Sequence, residues 1–141
     1  MEKPDRGFVG LPMCTMEFPR EETVFLRWSS VEMLEPNGET TTLTYITKTL
    51  DKPYNKLRIV IDATEMTIDF VRNHLLQWIS QLEKTRGWLK IAECYVVTTS
   101  YVLKYIADTF SFNGNVYFET DLKTACSKVE LDPDTLISTS L

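Results

Sequence analysis

The chain has 141 residues and a net charge of −5, with 43% hydrophobic and 25% charged residues. This length and composition fit one globular domain and exclude a chain that is disordered throughout. The 20 acidic and 15 basic residues include no long basic run. This argues against a nucleic-acid binder, which neutralises phosphates with a basic face.

The sequence shows no sign of secretion or of membrane insertion. No stretch approaches the roughly 18 consecutive apolar residues of a transmembrane helix, and the first residues include Glu2, Pro4 and Asp5 where a signal peptide has an apolar core. The three cysteines are widely spaced and form no CxxC pair. We therefore expect a cytoplasmic protein with reduced thiols, no metal site and no cofactor.

The first half of the chain predicts an irregular segment followed by a β-hairpin. Proline and glycine interrupt residues 1–22, which are therefore expected to be irregular. A hairpin is predicted over about 23–50, because TVFLRW at 23–28 alternates, Asn37-Gly38 is a typical hairpin turn, and TTTLTYITKTL is β-branched.

The second half predicts strands that alternate with helices. The apolar run from Leu57 to Ala63 is typical of a strand buried on both faces. A helix is predicted over 67–86, where Val71, Leu75 and Trp78 share one face. Further elements are predicted in chain order as a strand from 88, a helix at 101–110, a strand at 116–119 and a helix at 121–129.

These elements predict one α/β domain over 23–131, followed by a flexible tail at 132–141. Its architecture is an N-terminal β-hairpin followed by three β-α units that form a mixed sheet with helices packed on it. The later strands should run parallel, because a helix connects each to the next.

No set of catalytic residues is recognisable, so we predict that the chain is not an enzyme. His74 is the only histidine, and the five glycines form no phosphate-binding motif. The best-placed polar cluster is Asp62, Thr64 and Thr67, because α/β proteins bind ligands at the carboxyl ends of their strands. The structural alternative is that Asp62 and Thr64 bind main-chain groups in the loop while Thr67 caps the next helix.

Two segments resemble the STAS domain, the sulfate-transporter and anti-sigma-factor-antagonist (SpoIIAA-like) family. VIDATEM at 60–66 is similar to the family's strand that ends in Asp-x-Ser before the first helix. YVVTTSYVLKYIADTFSFNGNVYFETDLKTA at 95–125 is similar to the strand, helix, strand and helix that follow. The resemblance covers roughly 23–130 and implies the SpoIIAA/STAS-like fold.

The resemblance implies a non-enzymatic regulatory or protein–protein interaction module. The family's antagonists carry a phosphorylatable serine at the start of the first helix, whereas the matching segment here, residues 70–74, has no hydroxyl and no glycine. Thr64 or Thr67 is then the candidate phosphorylation site. The implied partner surface comprises Asp62, Thr64, Thr67, Asp69 and Arg72, with a protein partner expected and a homodimer left open.

A second resemblance suggests a different class of function. Residues 57–110 are similar in their β-α order to the CRAL-TRIO lipid-binding domain, which is longer. The alternative is therefore a small-molecule or lipid-binding domain. An apolar cavity of several hundred Å³ would favour that alternative, whereas an exposed apolar patch near residues 64–75 would favour protein interaction.

Overall fold

The computed structural model describes residues 8–11, 14–28, 41–50, 54–79, 89–109 and 116–136. Within these ranges six strands form one sheet, in which the order of the strands is their order in the chain. The strands are β1 (Phe8–Leu11), β2 (Cys14–Arg20), β3 (Thr23–Trp28), β4 (Tyr54–Asp62), β5 (Leu89–Val97) and β6 (Val116–Glu119).

Helices follow each of the last four strands. Their bounds are α1 (Thr41–Thr49), α2 (Ile68–Phe70, continued by a π-helical turn at Val71–Leu75 and helical residues 76–79), α3 (Ser100–Thr109) and α4 (Leu122–Lys128). A short 3-10 turn follows at Pro133–Thr135. The predicted α/β class and mixed sheet are confirmed, with four strand–helix units in place of three.

The sheet changes from antiparallel to parallel pairing at β3. β1 pairs with β2 and β2 with β3 in antiparallel fashion, whereas β3, β4, β5 and β6 run parallel. The prediction of parallel later strands is therefore confirmed. Ile61 of β4 lies between Leu26 of β3 and Val96 of β5, and all three are fully buried.

The hairpin predicted over 23–50 is wrong. β3 pairs with β2 and β4, while Thr41–Thr49 forms α1. The β-branched residues of this segment suggested a strand, but Ile46 and Leu50 are spaced by four residues and both are buried. That spacing is compatible with a helix, because it places both side chains on one face against the sheet. The Asn37-Gly38 turn lies outside the described residues.

The irregular segment predicted over 1–22 is also wrong for residues 8–11 and 14–20, which form β1 and β2. Pro19 lies within β2 at the point where the register with β3 shifts, between Glu17 and Arg20. A strand tolerates proline at such a bulge, because no ladder hydrogen bond is required there. A hairpin turn joins β2 to β3 and includes Glu22, whose φ is 61°.

The tail predicted over 132–141 is wrong for its first residues. Asp132 caps the 3-10 turn, since its side chain accepts a hydrogen bond from the main-chain N–H of Asp134. Leu136, which follows the turn, is fully buried. The packed unit thus reaches beyond both boundaries predicted for the domain, 23 and 131.

Each face of the sheet has its own apolar core. One core lies between the sheet and α1, α2 and α3, and includes Met16, Leu26, Ile46, Ile59, Leu75, Val96 and Val102. The other core joins the opposite face to α4 and the segment after it, and contains Phe25, Val60, Tyr95, Val97, Ala125, Cys126, Val129 and Leu136. Side chains of successive strand residues point to opposite faces, which explains why β4 carries a buried apolar residue at each position from Ile59 to Ile61.

Candidate functional site

Asp62 ends β4 and is only 3% exposed. Its Oδ1 accepts hydrogen bonds from the main-chain N–H of Thr64 at 3.2 Å and from Thr64 Oγ1 at 2.8 Å. Its Oδ2 lies 3.7 Å from Nε of Arg27, which is its neighbour on β3. The carboxylate therefore stabilises the loop that leaves the strand, as the structural alternative predicted.

Asp62 belongs to the face of the sheet that α4 covers. It lies two residues after Val60, which packs in the α4 core, and its charge is one of the influences on the Cys126 thiol of α4. Burial, followed by the charge of Asp62, raises the pKa of Cys126 to about 11. A buried carboxylate and a protonated thiol in this position offer a partner no accessible group.

Asp69 and Arg72 form a second, separate cluster on the exposed side of α2. Nη2 of Arg72 lies 3.0 Å from Oδ1 of Asp69, and Nη1 donates to the Tyr105 hydroxyl of α3 at 3.3 Å. Nε of Arg72 donates to the side-chain oxygen of Asn73 at 3.2 Å. The hydrogen bond to Tyr105 is the main cause of a raised pKa at Arg72. Arg72 thus joins the first turns of α2 to α3.

A groove of about 350 Å³ lies beside this cluster and is open to solvent. Ile68 of α2 forms one side, and Tyr101, Lys104 and Tyr105 of α3 form the other. Residues three and four positions apart share a helix face, so these three side chains line one stripe of α3. Val102, the residue next to Tyr101, is buried, so this stripe lies on the side of α3 that faces away from the core. Tyr101 is 76% exposed, and we call these four lining residues the α2–α3 groove.

The residues predicted as a partner surface therefore divide between two places. Asp62 and Thr64 are in contact with each other, and so are Asp69 and Arg72, but the two pairs belong to opposite sides of the sheet. Thr67 lies between the two pairs in the sequence, and its main-chain oxygen accepts a hydrogen bond from the N–H of Val71 at 3.0 Å. Of these five residues, Arg72 contacts the lining of the groove, since it donates a hydrogen bond to the Tyr105 hydroxyl.

Sequence reasoning missed the contribution of α3 to this site. The buried Val102 marks the inward face of α3, which leaves Tyr101 and Tyr105 together on the outward face of the same helix. Two aromatic residues on an outward helix face are the signal that could have identified the groove.

The described residues provide no group of three or more His, Cys, Asp or Glu side chains that could hold a metal ion. Across the same ranges, none of the helices is long and apolar enough to cross a membrane. All three cysteines are buried and unpaired with one another, and burial raises the pKa of Cys14 to about 12.

Comparisons with known proteins gave no match to a family model, to a curated protein or to a solved structure.

Proposed function

We propose that this chain is a non-enzymatic protein-interaction module of STAS-like type, and that it binds a partner protein at the α2–α3 groove. The observation that carries the proposal is the exposed ring of Tyr101 beside Lys104 in an open groove, whose Tyr105 accepts a hydrogen bond from Arg72. Tyrosine and arginine are enriched among the residues that contribute most to protein–protein affinity. A partner side chain that covers Tyr101 would remove apolar surface from water without deforming the fold.

The shape of the groove favours a protein partner over a small ligand. Its volume of about 350 Å³ is within the range of small-molecule pockets. Such pockets, however, enclose most of their ligand. This groove is open, and Tyr101, one of its four lining residues, is mostly exposed. It also borders residues 64–75, where an exposed apolar patch was expected to favour interaction.

The STAS-like part of the proposal is supported by the order of the elements and by the position of the groove. Strands alternate with helices from β3 to α4, and the groove includes Ile68, the first residue of the helix that follows β4. The sequence resemblance implies a partner surface in this loop and helix. Regulation by phosphorylation is part of the proposal at Thr64, which is exposed, or at Thr67, which is half-buried.

A cytoplasmic location is also part of the proposal. Its support is that Cys14, Cys94 and Cys126 are all buried and that no disulfide joins any two of them. Proteins of oxidising compartments commonly pair their cysteines in disulfides, whereas cytosolic proteins keep them reduced.

Site-specific photo-crosslinking in the native cell tests the proposal. Tyr101 is replaced by the photoreactive p-benzoylphenylalanine, and Tyr117 of β6, which is 45% exposed and on the other face of the sheet, serves as the matched control. We expect a cross-linked partner from position 101 that is absent from position 117 and is lost when Lys104→Glu is added.

Identical products from both positions, or no product from position 101, would contradict the proposal. A cross-linked second copy of the chain would make the groove a homodimer interface. Native mass spectrometry of the purified protein tests the lipid-binding alternative, which a co-purified lipid would favour.

A further inference from the structure

The α2–α3 groove carries a local positive charge on a chain whose net charge is −5. Lys104 is exposed, and it forms no ion pair with any of the described residues. Arg72 is paired with Asp69, so these two charges largely neutralise each other. Among the described residues, nothing therefore compensates the ammonium group of Lys104, which lies beside the apolar surface of Ile68 and Tyr101.

The side chains of the groove, together with Arg72, which contacts Tyr105, have more hydrogen-bond donors than the described hydrogen bonds use. A guanidinium group has five N–H donors, and three hydrogen bonds from Arg72 are described, to Asp69, Asn73 and Tyr105. The ammonium of Lys104 supplies up to three donors and the hydroxyl of Tyr101 one. An occupant that only accepts hydrogen bonds and carries a negative charge fits these groups best.

We propose that the groove binds an acidic segment of the partner protein, in which an Asp or Glu carboxylate pairs with Lys104 and an adjacent apolar side chain packs on Ile68 and Tyr101. This inference rests on the proposed function and adds the chemistry of the partner. One uncompensated positive charge matches the single charge of a carboxylate better than the double charge of a phosphate group. The net charge of −5 repels acidic proteins in general, so the apolar contact is needed for selection.

Selection from a phage-displayed library of random short peptides tests this chemistry on the intact chain. Wild-type protein should enrich peptides with an Asp or Glu next to a large apolar residue. Their affinity should fall about tenfold in Lys104→Glu and also in Tyr101→Ala, the loss typical of one charge pair or one aromatic contact at an interface. Selection on Lys104→Glu should favour Lys or Arg in place of the acidic residue.

The matched control is Lys123→Glu. Lys123 is an exposed lysine of α4, which packs on the opposite face of the sheet, so it undergoes the same change of charge away from the groove. An equal loss of affinity in Lys104→Glu and Lys123→Glu would overturn the inference, because the effect would then come from net charge. Enriched peptides without acidic residues, or no enriched peptides that depend on Tyr101, would overturn it as well.

The two proposals can fail separately. If position 101 cross-links to a partner while the selected peptides are neutral or basic, the acidic chemistry is wrong and the interaction site stands. If position 101 yields no partner and no peptide depends on Tyr101, both proposals fail.

Discussion

Replacing the buried thiol of Cys14 should make the protein more resistant to alkaline unfolding. Cys14 of β2 is 1% exposed, and burial raises the pKa of its thiol from about 9 to about 12, against a smaller opposing influence of the main chain at Arg27. Above pH 9 the unfolded chain loses this proton while the folded chain keeps it. The stability that is present below pH 9 is therefore lost as the pH rises towards 12.

The size of the effect follows from the link between proton binding and stability. One proton held by the folded state and not by the unfolded state changes the free energy of unfolding by about 1.4 kcal/mol per pH unit. Between pH 9 and pH 11, Cys14 alone should therefore lower the free energy of unfolding by about 2 kcal/mol. Urea unfolding followed by circular dichroism, in the presence of a reductant at several pH values, measures this slope.

The slope should be shallower in Cys14→Ala than in the wild type by about 1 kcal/mol per pH unit. Met16→Ala is the matched control, because Met16 is a fully buried residue of the same strand and the same core but cannot titrate. It should lower stability by an amount that does not depend on pH. If the wild type and Cys14→Ala lose stability in parallel above pH 9, the reasoning is refuted.

Two further predictions concern the hydroxyl groups of the neighbouring residues Thr98 and Thr99, whose removal should change stability in opposite directions. Thr98 is 1% exposed and its hydroxyl has no hydrogen-bond partner within the part of the chain that the structure describes, so Thr98→Val should stabilise the protein by about 1 kcal/mol. Thr99 Oγ1 accepts a hydrogen bond from the N–H of Val102 at 3.3 Å as the cap of α3, so Thr99→Val should destabilise it by about the same amount. Thermal unfolding compares the two, and equal signs would contradict the assignment. Arg20 of β2 donates hydrogen bonds to the main-chain oxygens of Val129 and Glu130 after α4, so Arg20→Ala should cost about 1–2 kcal/mol and speed hydrogen exchange over 122–136. Glu130→Ala removes only an exposed ion pair with Arg20 and should cost less than about 1 kcal/mol; an equal cost would contradict this reading.

Local patterns correctly predicted the elements whose burial is uniform. The nearly continuous apolar run that begins at Leu57 lies in β4, where Ile59–Ile61 are buried on both faces of the sheet, and the helical spacing of Val71 and Leu75 places both in the core. The start of α4 shows the limit of such patterns. Thr120 and Asp121 are both good caps, and the structure assigns the role to Asp121, whose Oδ2 accepts the N–H of Thr124 at 3.1 Å.

Local sequence patterns failed where the same residues are compatible with both a strand and a helix. The threonine-rich segment at 41–49 is suited to a strand by its β-branched residues and to a helix by the spacing of Ile46 and Leu50. The sheet resolves this conflict, because β3 is already paired with β2 and β4 and has no free edge for a hairpin partner. Pro19 was misleading for a related reason, since its strand depends on a bulge that only the pairing with β3 reveals.

The candidate site shows the same division between the sequence and the tertiary structure. The contact between Asp62 and Thr64 spans two residues and follows from loop chemistry, so the sequence alone determined it as the structural alternative. The α2–α3 groove requires Ile68 and Tyr101, which are far apart in the chain, to meet. They meet because β4 and β5 are parallel neighbours and each is followed by a helix on the same face. The sequence determined the α/β class and the polarity of the helices that follow β4, β5 and β6, while only the folded sheet decided which helix faces form a site together.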